Sequence, residues 1–393
     1  MSQQLIGRNA DLKRLRDESY EVSIRSQYLA VSNVPYVNAS KKVGRGTLYS
    51  ALTLNGDNTS RPGTHVVFFA GEHPCNQDGS VISQIVHSSQ AQDLGNGLHV
   101  DHSFSNKPKE GFPDYYALMT SYIRVISSPA EALDATASAQ TGSVIEVIDE
   151  PSIFNYLDTH SSRSEITAIT EKLRGHKIAI IGLGGTGGYI LDLIAKTPVA
   201  EIHLYDGDCF SQHNAFRSPG AASIAQLREA PKKVDYLKKI YAAMHRGIIA
   251  HPIRIDIHNV AELSAMNFVF ISIDDGEPKK YISEALETSG IPFIDVGMGL
   301  HAINGSIDGI LRSTMNSVRK RDHFRKRVSF APSMDDEYNS NIQVADLNSL
   351  NAAMAVIAWK KSLGFYHDNE HENHSTYTVG ANLLLSEEHA DPA

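Results

Sequence analysis

A glycine-rich segment in the middle of the chain has the composition of a phosphate-binding turn. Gly182, Gly184, Gly185 and Gly187 follow an apolar run that predicts a buried strand, and they open a predicted helix. Glycine lets backbone N–H groups approach a phosphate closely at the positive end of a helix, where a side chain would obstruct the approach. Asp206 ends the next predicted strand, 19 residues after Gly187, where its carboxylate can accept hydrogen bonds from ribose hydroxyls. These residues predict an adenine nucleotide site, and they fit a NAD-dependent dehydrogenase as well as an enzyme that uses ATP.

A second set of polar residues distinguishes between these two classes. The set follows the same predicted strand and two later elements, and it consists of Asp208, Asn214, Arg217, Lys233 and Asp274. Asn, Arg and Lys supply donors and positive charge to a triphosphate, and an acidic residue at a strand end can hold Mg²⁺ against it. The set therefore indicates phosphoryl chemistry with ATP and Mg²⁺ rather than hydride transfer.

The elements that must position these residues alternate between strands and helices from Lys177 onward. Strands are predicted at 177–181, 201–205, 249–253, 267–273 and 292–296, and helices at about 185–195, 224–245 and 278–289. Strands that alternate with helices form βαβ units. We therefore expect an α/β fold with a Rossmann-like, mostly parallel sheet and helices on both faces.

The last third of the chain predicts one long helix at 343–366. Its apolar residues recur at spacings of three and four and would form one packing face: Val344, Leu347, Leu350, Met354 and Ile357. His367, His371 and His374 follow this helix among Asp, Asn and Glu. A metal site is one interpretation of these histidines, but a solvated polar turn is the favoured one, because no ordered scaffold is evident for a ligand pair.

Length and local pattern divide the chain into two domains. For 393 residues we expect two or three domains, and the pattern changes within a boundary region at about 145–174 that is rich in Ser, Thr and charge. Residues 1–150 predict a smaller α+β domain, with β-branched and aromatic runs at 28–37, 47–54 and 65–70 and a helix at about 114–127. Residues 151–393 form the predicted nucleotide-binding domain.

Charge and cysteine content exclude several classes of function. The 36 Lys and Arg against 45 Asp and Glu leave a net charge of −9, so nucleic acid is not expected as a partner. With two cysteines, Cys75 and Cys209, the chain cannot build a disulfide framework or a four-thiolate zinc site. The most apolar stretch, 178–195, contains five glycines and Asp192, and the N-terminus lacks the apolar core of a signal peptide. We therefore expect a cytoplasmic protein with no membrane partner.

Residues of about 163 to 385 resemble the ThiF/MoeB superfamily of adenylyltransferases, to which the ubiquitin-activating enzymes belong. The resemblance rests on Gly182-Leu-Gly184-Gly185-Thr-Gly187, Asp206-x-Asp208, Asn214-x-x-Arg217, Lys233 and Asp274. It implies a parallel sheet with helices, a homodimer, and MgATP-dependent adenylation of the C-terminal glycine carboxylate of a small β-grasp protein. That protein would be ubiquitin-like or a sulfur carrier, with a conjugating enzyme as a further partner.

The same resemblance implies roles for individual residues. Gly185 would pack at the nucleotide, Asp206 would bind ribose, and Asp274 would bind Mg²⁺. The phosphates would be held by Asn214, Arg217 and Lys233, with Lys233 preferred over the adjacent Lys232 because the helix periodicity after it matches the family better. The family also uses an arginine from near the N-terminus of the partner subunit, and Arg163 is the nearest candidate.

Two departures from the family leave alternatives open. Many members carry a zinc site of two Cys-x-x-Cys pairs, which this chain lacks. Many also carry a cysteine in a crossover loop, whereas the corresponding loop, at about 312–341, contains none and cannot form a thioester. The leading hypothesis is activation of a ubiquitin-like protein. The alternatives are activation of a sulfur-carrier protein or a small molecule, and an inactive nucleotide-binding scaffold dimer.

The first 150 residues resemble a bacterial domain of unknown function that is found in front of such adenylyltransferases in ubiquitination-like operons. The shared segments are Val34-Pro35-Tyr36-Val37, His73-Pro74-Cys75 and the run from Phe104 to Tyr116. The segment from Val66 to Ser83 is also similar to the strand and His-Pro turn that precede the catalytic cysteine of ubiquitin-conjugating enzymes. Ser83 takes the place of that cysteine, so Ser83 and Cys75 are two nucleophile candidates. A docking module is the favoured alternative.

Overall fold

The chain folds into two compact units. The computed structural model describes residues 2–25, 27–95, 98–143, 152–156, 158, 160–161, 166–331 and 342–390. One unit comprises Met1–Glu150 and Tyr156–Ser164, and the other comprises Pro151–Asn155 and Glu165–Ala393. Each unit has its own sheet and its own hydrophobic core.

The N-terminal unit is an antiparallel sheet packed with helices. The sheet has the order β1-β2-β3-β6-β10-β7, and all neighbouring strands in it are antiparallel. Its strands are β1 Glu21–Arg25, β2 Tyr28–Val37, β3 Val43–Ala51, β6 Val66–Ala70, β7 Val86–Ser88 and β10 His102–Ser105. Two ribbons pair β4 Leu54–Asn55 with β5 Asn58–Thr59 and β8 Gln92–Asp93 with β9 His99–Val100. The helices are α1 Ser2–Arg8, α2 Ala10–Asp17 and α3 Tyr115–Leu133.

Helix α3 begins directly after its N-cap residue, Asp114, and extends further than the sequence predicts. The Asp114 carboxylate accepts a hydrogen bond from the N–H of Ala117 at 2.7 Å, which satisfies one of the donors at the helix N-terminus. The helix packs on β2 and ends at Leu133, six residues beyond the predicted end. The expected α+β domain is therefore confirmed, although the strand predicted at 47–54 lies at Val43–Ala51.

The C-terminal unit contains one mixed sheet of eight strands. Its order is β13-β12-β11-β14-β15-β16-β17-β18, in which β13 to β15 pair in parallel and β15 to β18 pair antiparallel. The strands are β11 Lys177–Ile181, β12 Glu201–Tyr205, β13 Ile248–His251, β14 Phe268–Ile271, β15 Phe293–Ile303, β16 Ser306–Asn316, β17 Glu372–Thr378 and β18 Leu383–His389. The helices are α4 Thr167–Thr170, α5 Gly185–Ile194, α6 Gln212–Ala215, α7 Ile224–Glu229, α8 Lys233–Tyr241, α9 Gly276–Ser289, α10 Phe324–Arg327 and α11 Ala345–Ser362, with 3₁₀ turns at Glu171–Leu173 and Val260–Ala265.

Both faces of this sheet are buried, as the continuous apolar strands predict. Ile178 and Ile180 of β11 belong to a hydrophobic cluster with residues of α5, α8 and α11, whereas Ala179 and Ile181 belong to a second cluster with residues of α9. Successive residues of a strand point to opposite faces of the sheet, so helices cover both of them. The predicted Rossmann-like α/β fold is confirmed.

The register of the parallel strands brings the site residues to one edge. Ile181, the last residue of β11, is paired with Tyr205 of β12 and with Ile271 of β14. The segments that leave these three strands therefore begin at the same level. The glycine turn, Asp206 and Asp274 follow β11, β12 and β14, so the fold places them along the carboxyl edge of the sheet.

The predicted apolar face of the long helix is wrong. Helix α11 runs from Ala345 to Ser362 rather than over 343–366, and Leu350 and Ile357 of the predicted face are 37% and 45% exposed. The residues that it buries are Asn348, Asn351, Ala352, Ala355, Val356 and Trp359. The buried asparagines make polar contacts, which the apolar periodicity does not reveal: Asn348 with Thr186 and Asn351 with Gly297.

Two other expectations for this region are corrected. His374 lies in β17 rather than in a polar turn; it is 4% exposed, and its Nδ1 is 2.9 Å from Thr314 Oγ1. The crossover loop expected at about 312–341 begins as strand, because β16 continues to Asn316, and α10 follows at Phe324–Arg327. Strand β16 pairs antiparallel with β15 and β17, and β17 pairs antiparallel with β16 and β18. Both segments are therefore strands because of pairings that the sequence did not predict.

Candidate nucleotide site and its neighbouring pocket

A pocket of about 690 Å³ lies at the carboxyl edge of the C-terminal sheet. Several residues singled out from the sequence line it: Gly182, Gly184, Asp206, Asp208, Arg217, Lys233 and Asp274. These side chains and turns come from four different segments of the chain, so the fold brings them together. Gly185, Gly187 and Asn214 are described by the structure but are not among the residues that line this pocket.

Close backbone contacts require glycine at two positions of the turn. Gly182 has φ +87°, and a Cβ at this position would lie 2.4 Å from the carbonyl oxygen of Ser272. A Cβ on Gly187 would lie 1.9 Å from the carbonyl oxygen of Gly182. Side chains at either position would therefore force the turn away from β14 or open the first turn of α5.

Gly185 has a neighbour that the sequence did not indicate. A Cβ at this position would lie 2.1 Å from Nδ2 of Asn348, on α11. Asn348 is buried, its Oδ1 accepts from the Thr186 hydroxyl at 2.8 Å, and its Nδ2 donates to the Arg217 carbonyl oxygen at 3.3 Å. Gly185 thus makes room for a protein side chain that ties α11 to the glycine turn and to the loop carrying Arg217.

Asp206 organises the two loops that follow β11 and β12. Its Oδ2 accepts from the Leu183 N–H at 2.7 Å, and its Oδ1 accepts from the Asp208 N–H at 2.9 Å. Oδ2 also accepts from Lys233 Nζ at 3.5 Å. Each carboxylate oxygen has about two acceptor positions, so Oδ1 retains capacity for a ribose hydroxyl. The side chain is 8% exposed at the wall of the pocket, which leaves this one surface for a ligand.

Lys233 is the buried cation of the site. It begins α8, and its Nζ lies 2.8 Å from Asp208 Oδ2 and 3.5 Å from Asp206 Oδ2. Hydrogen bonds from Lys233 and Arg254 lower the pKa of Asp208 to about 2, and the bond from Lys233 has the larger effect. The adjacent Lys232 is exposed, and its Nζ donates to the Gly207 carbonyl oxygen at 2.6 Å. Of the two lysines, Lys233 therefore faces the pocket.

Asn214 and Arg217 each carry a buried donor without a partner among the described residues, and Arg217 lines the pocket. Asn214 Oδ1 accepts from the backbone N–H and the hydroxyl of Ser211 at 2.9 and 3.0 Å, while its Nδ2 has no hydrogen-bond partner among the described residues. The Nε of Arg217 is likewise buried without a hydrogen-bond partner in that part of the chain. Buried donors without partners are costly, and an anionic ligand would satisfy them.

Asp274, which the resemblance implies as the magnesium ligand, lines the pocket. It follows β14 in the pocket lining, one residue before Asp275, which caps α9. Mg²⁺ at a nucleotide is usually held by one or two carboxylates together with phosphate oxygens and water, so a single carboxylate at this place fits. Arg163, the expected cation from a partner subunit, lies outside the described residues.

The sequence did not indicate the pocket residues Lys279, Arg312 and Asn351, or the buried Asp295 with which Lys279 and Arg312 pair. They come from α9, β15, β16 and α11, and their association depends on pairings that the sequence did not predict. One signal was present. Asp295 interrupts the apolar run Phe293-Ile294-Asp295-Val296, and a charge in a buried strand requires a partner of opposite charge.

The N-terminal nucleophile candidates differ in accessibility. Cys75 is fully buried, its thiol donates to the His73 carbonyl oxygen at 3.3 Å, and burial raises the pKa of the thiol. These features oppose a nucleophilic role for Cys75, because the thiolate is the reactive form. Ser83 is exposed, but no hydrogen bond within the described chain joins its hydroxyl to His73 or His87, which bond the Pro74 carbonyl oxygen and the Ser103 hydroxyl.

Metal-binding clusters and membrane-spanning helices are both absent from the described residues. No group of three or more His, Cys, Asp and Glu side chains is arranged there to hold a metal ion, and this includes His367, His371 and His374. Within the same residues, no helix combines the length and the apolar character needed to cross a membrane.

The fold and the site define an α/β nucleotide-binding protein with a glycine turn at the carboxyl edge of its sheet. A family model described as the ThiF family matches residues 160–373, which is more than half of the chain, and the chain belongs to this family. A domain of unknown function, DUF6791, matches residues 10–159.

Relatives in other organisms are distant. The chain is 21% identical over 151 residues to ubiquitin-like modifier-activating enzyme 5 of Culex quinquefasciatus, covering 36% of this chain and 38% of that protein. It is 19% identical over 159 residues to the protein of the same name in Aedes aegypti, covering 38% and 40%. The chain thus spans about two fifths of the length of these relatives. Among solved structures, E. coli MccB with ATP aligns at 15% identity and a TM-score of 0.46, covering 60% of this chain and 70% of that one.

Proposed function

We propose that this protein uses MgATP to adenylate the C-terminal carboxylate of a ubiquitin-like β-grasp protein. The observation that carries the proposal is the meeting of Asp206, Arg217, Lys233 and Asp274 around one pocket beside the glycine turn. Membership of the ThiF family supports adenylation, and the names of the distant mosquito relatives support a ubiquitin-like substrate. A tail carboxylate has no good leaving group, and adenylation supplies AMP as one.

Each site residue has a role in this reaction. Asp206 binds ribose, Asn214, Arg217 and Lys233 hold the phosphates, and Asp274 holds Mg²⁺, which neutralises charge on the phosphates when bound. A carboxylate oxygen of the substrate attacks the α-phosphorus, and the bond from that phosphorus to the bridging oxygen of pyrophosphate breaks. Pyrophosphate leaves with the electron pair, and the acyl adenylate stays in the pocket. No proton is transferred at this step.

The assembly around this reaction is part of the proposal. We infer that the ThiF unit works as a homodimer in which Arg163 reaches the partner subunit's site, in a reducing, cytoplasmic compartment. The N-terminal domain, residues 1–150, docks the substrate protein or a conjugating enzyme. The burial of Cys75 supports docking over a covalent acceptor role in that domain.

Nucleotide titration tests the site without the substrate protein. Wild-type protein should bind a nonhydrolysable ATP analogue by isothermal titration calorimetry about tenfold more tightly with Mg²⁺ than with EDTA, since a charged contact of this kind is worth about 1.5–3 kcal/mol. Asp274→Ala should remove that difference, and Glu277→Ala, an exposed acidic residue three positions later, should keep it. Binding of NAD⁺ in place of the ATP analogue, or an unchanged Mg²⁺ effect in Asp274→Ala, would contradict the proposal.

The substrate is tested by ATP–pyrophosphate exchange. Exchange should appear when a small protein that ends in glycine and is encoded beside this gene is added, and Asp274→Ala should abolish it while the fold persists. Exchange that does not depend on any added protein would exclude a carrier protein as the substrate.

A further inference from the structure

A cluster of buried charges lies at the end of the pocket farther from Asp206. The Asp295 carboxylate on β15 is completely buried, with Lys279 Nζ at 3.3 Å from one oxygen and the Arg312 guanidinium paired with the other. Lys279 and Arg312 both line the pocket. Two cations against one carboxylate leave a charge of +1 at the pocket wall, which matches a single monoanionic group of a ligand.

Arg312 is held in place from several sides. Its Nη1 donates to Thr314 Oγ1 at 2.8 Å, and it lies directly across the antiparallel pair from Gly297. A Cβ on Gly297 would be 2.6 Å from Arg312 Nη2, so the absence of a side chain there lets the guanidinium lie over β15. Of the five N–H donors of the guanidinium, two are used by Thr314 and Asp295, and no hydrogen bond to another described residue uses the other three.

Asn351 adds an acceptor to the same end of the pocket. Its Nδ2 donates to the Gly297 carbonyl oxygen at 3.0 Å, which places the amide beside the strand that carries Asp295. Its Oδ1 is buried and has no hydrogen-bond partner among the described residues. A buried acceptor needs a donor, and a backbone N–H of a ligand lying along β15 would supply one.

This end of the pocket is distant from the ribose end. Strands β12 and β15 are separated by β11 and β14, so about 14 Å lies between Asp206 and the Asp295 cluster. The glycine turn after β11 and Asp274 after β14 lie between them. A phosphate at the glycine turn therefore has the ribose site on one side and the Lys279 and Arg312 cations on the other.

We propose that Lys279, Arg312 and Asn351 form the subsite for the C-terminal residue of a peptide chain. The two cations bind its carboxylate, Asn351 Oδ1 accepts its backbone N–H, and Asp295 is a positioning residue that aims both cations. This assignment rests on the proposed function and adds to it the residues that recognise the end of the substrate chain, through the carboxylate and the backbone N–H of its last residue. The bound carboxylate then lies beside the α-phosphate that it attacks.

Three small probes test this subsite in full-length protein saturated with Mg²⁺ and the nonhydrolysable ATP analogue. They are N-acetylglycylglycine, its C-terminal amide, and N-acetylglycylsarcosine, which lacks the last N–H. Saturable binding of the first, measured by ligand-observed NMR, should be at least about tenfold tighter than binding of the other two, because each lacks one of the contacts.

The variants separate the contacts. Lys279→Met and Arg312→Met should each weaken N-acetylglycylglycine by about tenfold or more without changing the affinity for the ATP analogue. Arg312→Lys keeps the charge beside Asp295, so it folds even if Arg312→Met does not, and it should lose part of the affinity. Asn351→Ala should abolish the preference for glycine over sarcosine. The matched controls are Lys280→Met on α9 and Arg325→Met on α10, both exposed, which should bind as wild type does.

The failures are distinguishable. Normal nucleotide binding with peptide binding that is absent, or that is indifferent to Lys279 and Arg312, would overturn this assignment alone. A parallel loss of nucleotide affinity in both variants would place the cations at the phosphates and would also overturn it. If wild-type protein does not bind the ATP analogue at all, the proposed function itself fails.

Discussion

Replacing Lys233 by Met should weaken ATP binding, because the variant loses the contact between the lysine and the phosphates of ATP. Lys233 Nζ lies 2.8 Å from Asp208 Oδ2 and 3.5 Å from Asp206 Oδ2 at the pocket wall. Met has a similar length and no charge, so the variant removes the cation and keeps most of the packing. Lys232→Met is the matched control, because Lys232 is the neighbouring residue and is exposed.

The expected magnitude has two parts. A hydrogen bond from an ammonium to a phosphate is worth about 1.5–3 kcal/mol, so the affinity for ATP should fall by about 10- to 100-fold. Two carboxylates also lose their shared cation. Breaking a fully buried pair costs about 3–5 kcal/mol, but Asp208 is 46% exposed and keeps Arg254 at 2.8 Å, so we expect about 2 kcal/mol of lost stability.

The assay is calorimetric titration of wild type, Lys233→Met and Lys232→Met with the nonhydrolysable ATP analogue and with adenosine. Adenosine carries no phosphate, so its affinity should differ little between the three proteins, and this comparison separates the phosphate contact from a general loss of the fold. A folded Lys233→Met that binds the ATP analogue within threefold of wild type would show that Lys233 does not contact the phosphates. An equal loss of affinity in Lys232→Met would contradict the assignment of Lys233 over Lys232.

Two further predictions concern stability. Gly187→Ala places a Cβ 1.9 Å from the Gly182 carbonyl oxygen, and it should lower the free energy of unfolding by about 2–3 kcal/mol, or the thermal midpoint by about 5–10 °C. The control is Gly184→Ala, whose Cβ meets nothing within 4 Å. In the same melting experiment it should change the free energy of unfolding by less than about 0.5 kcal/mol. Burial, with the charges of Arg327 and Arg312, lowers the pKa of His374 to about 4, so the unfolded chain takes up a proton below pH 6.5 that the folded chain accepts only below about pH 4. Between pH 7 and pH 4, the free energy of unfolding of wild type should therefore fall by about 3 kcal/mol more than that of His374→Asn, as measured by denaturant titration. Equal decreases would show that His374 is not the responsible group.

The residues of the nucleotide site could be predicted from the sequence because each belongs to a short local pattern. The glycine turn between a strand and a helix, the acid after β12 and the acid after β14 are each recognisable within about ten residues. Parallel strands bring their carboxyl ends to one edge, so the grouping of Asp206 with Asp274 followed from the alternation of strands and helices alone.

Other features depended on packing between distant elements. The apolar periodicity of residues 343–366 predicted the wrong face of α11, because the buried face is defined by Asn348 against Gly185 and the Thr186 hydroxyl. Cys75 was one of two nucleophile candidates in the sequence, and it is fully buried where it forms β-bridges with Val37 and Val81. Neither property is encoded in local pattern.

By itself, the sequence determined a two-part chain with a Rossmann-like nucleotide site whose residues follow the parallel strands. Only the tertiary structure decided what faces that site from the antiparallel half of the sheet. Asp295, Arg312 and Asn351 meet because β15 pairs with β16 and α11 packs beside them, and such long-range pairings leave no signature in local hydrophobic periodicity. A buried carboxylate needs cations close to it in space, and only the tertiary structure determines which cations lie there.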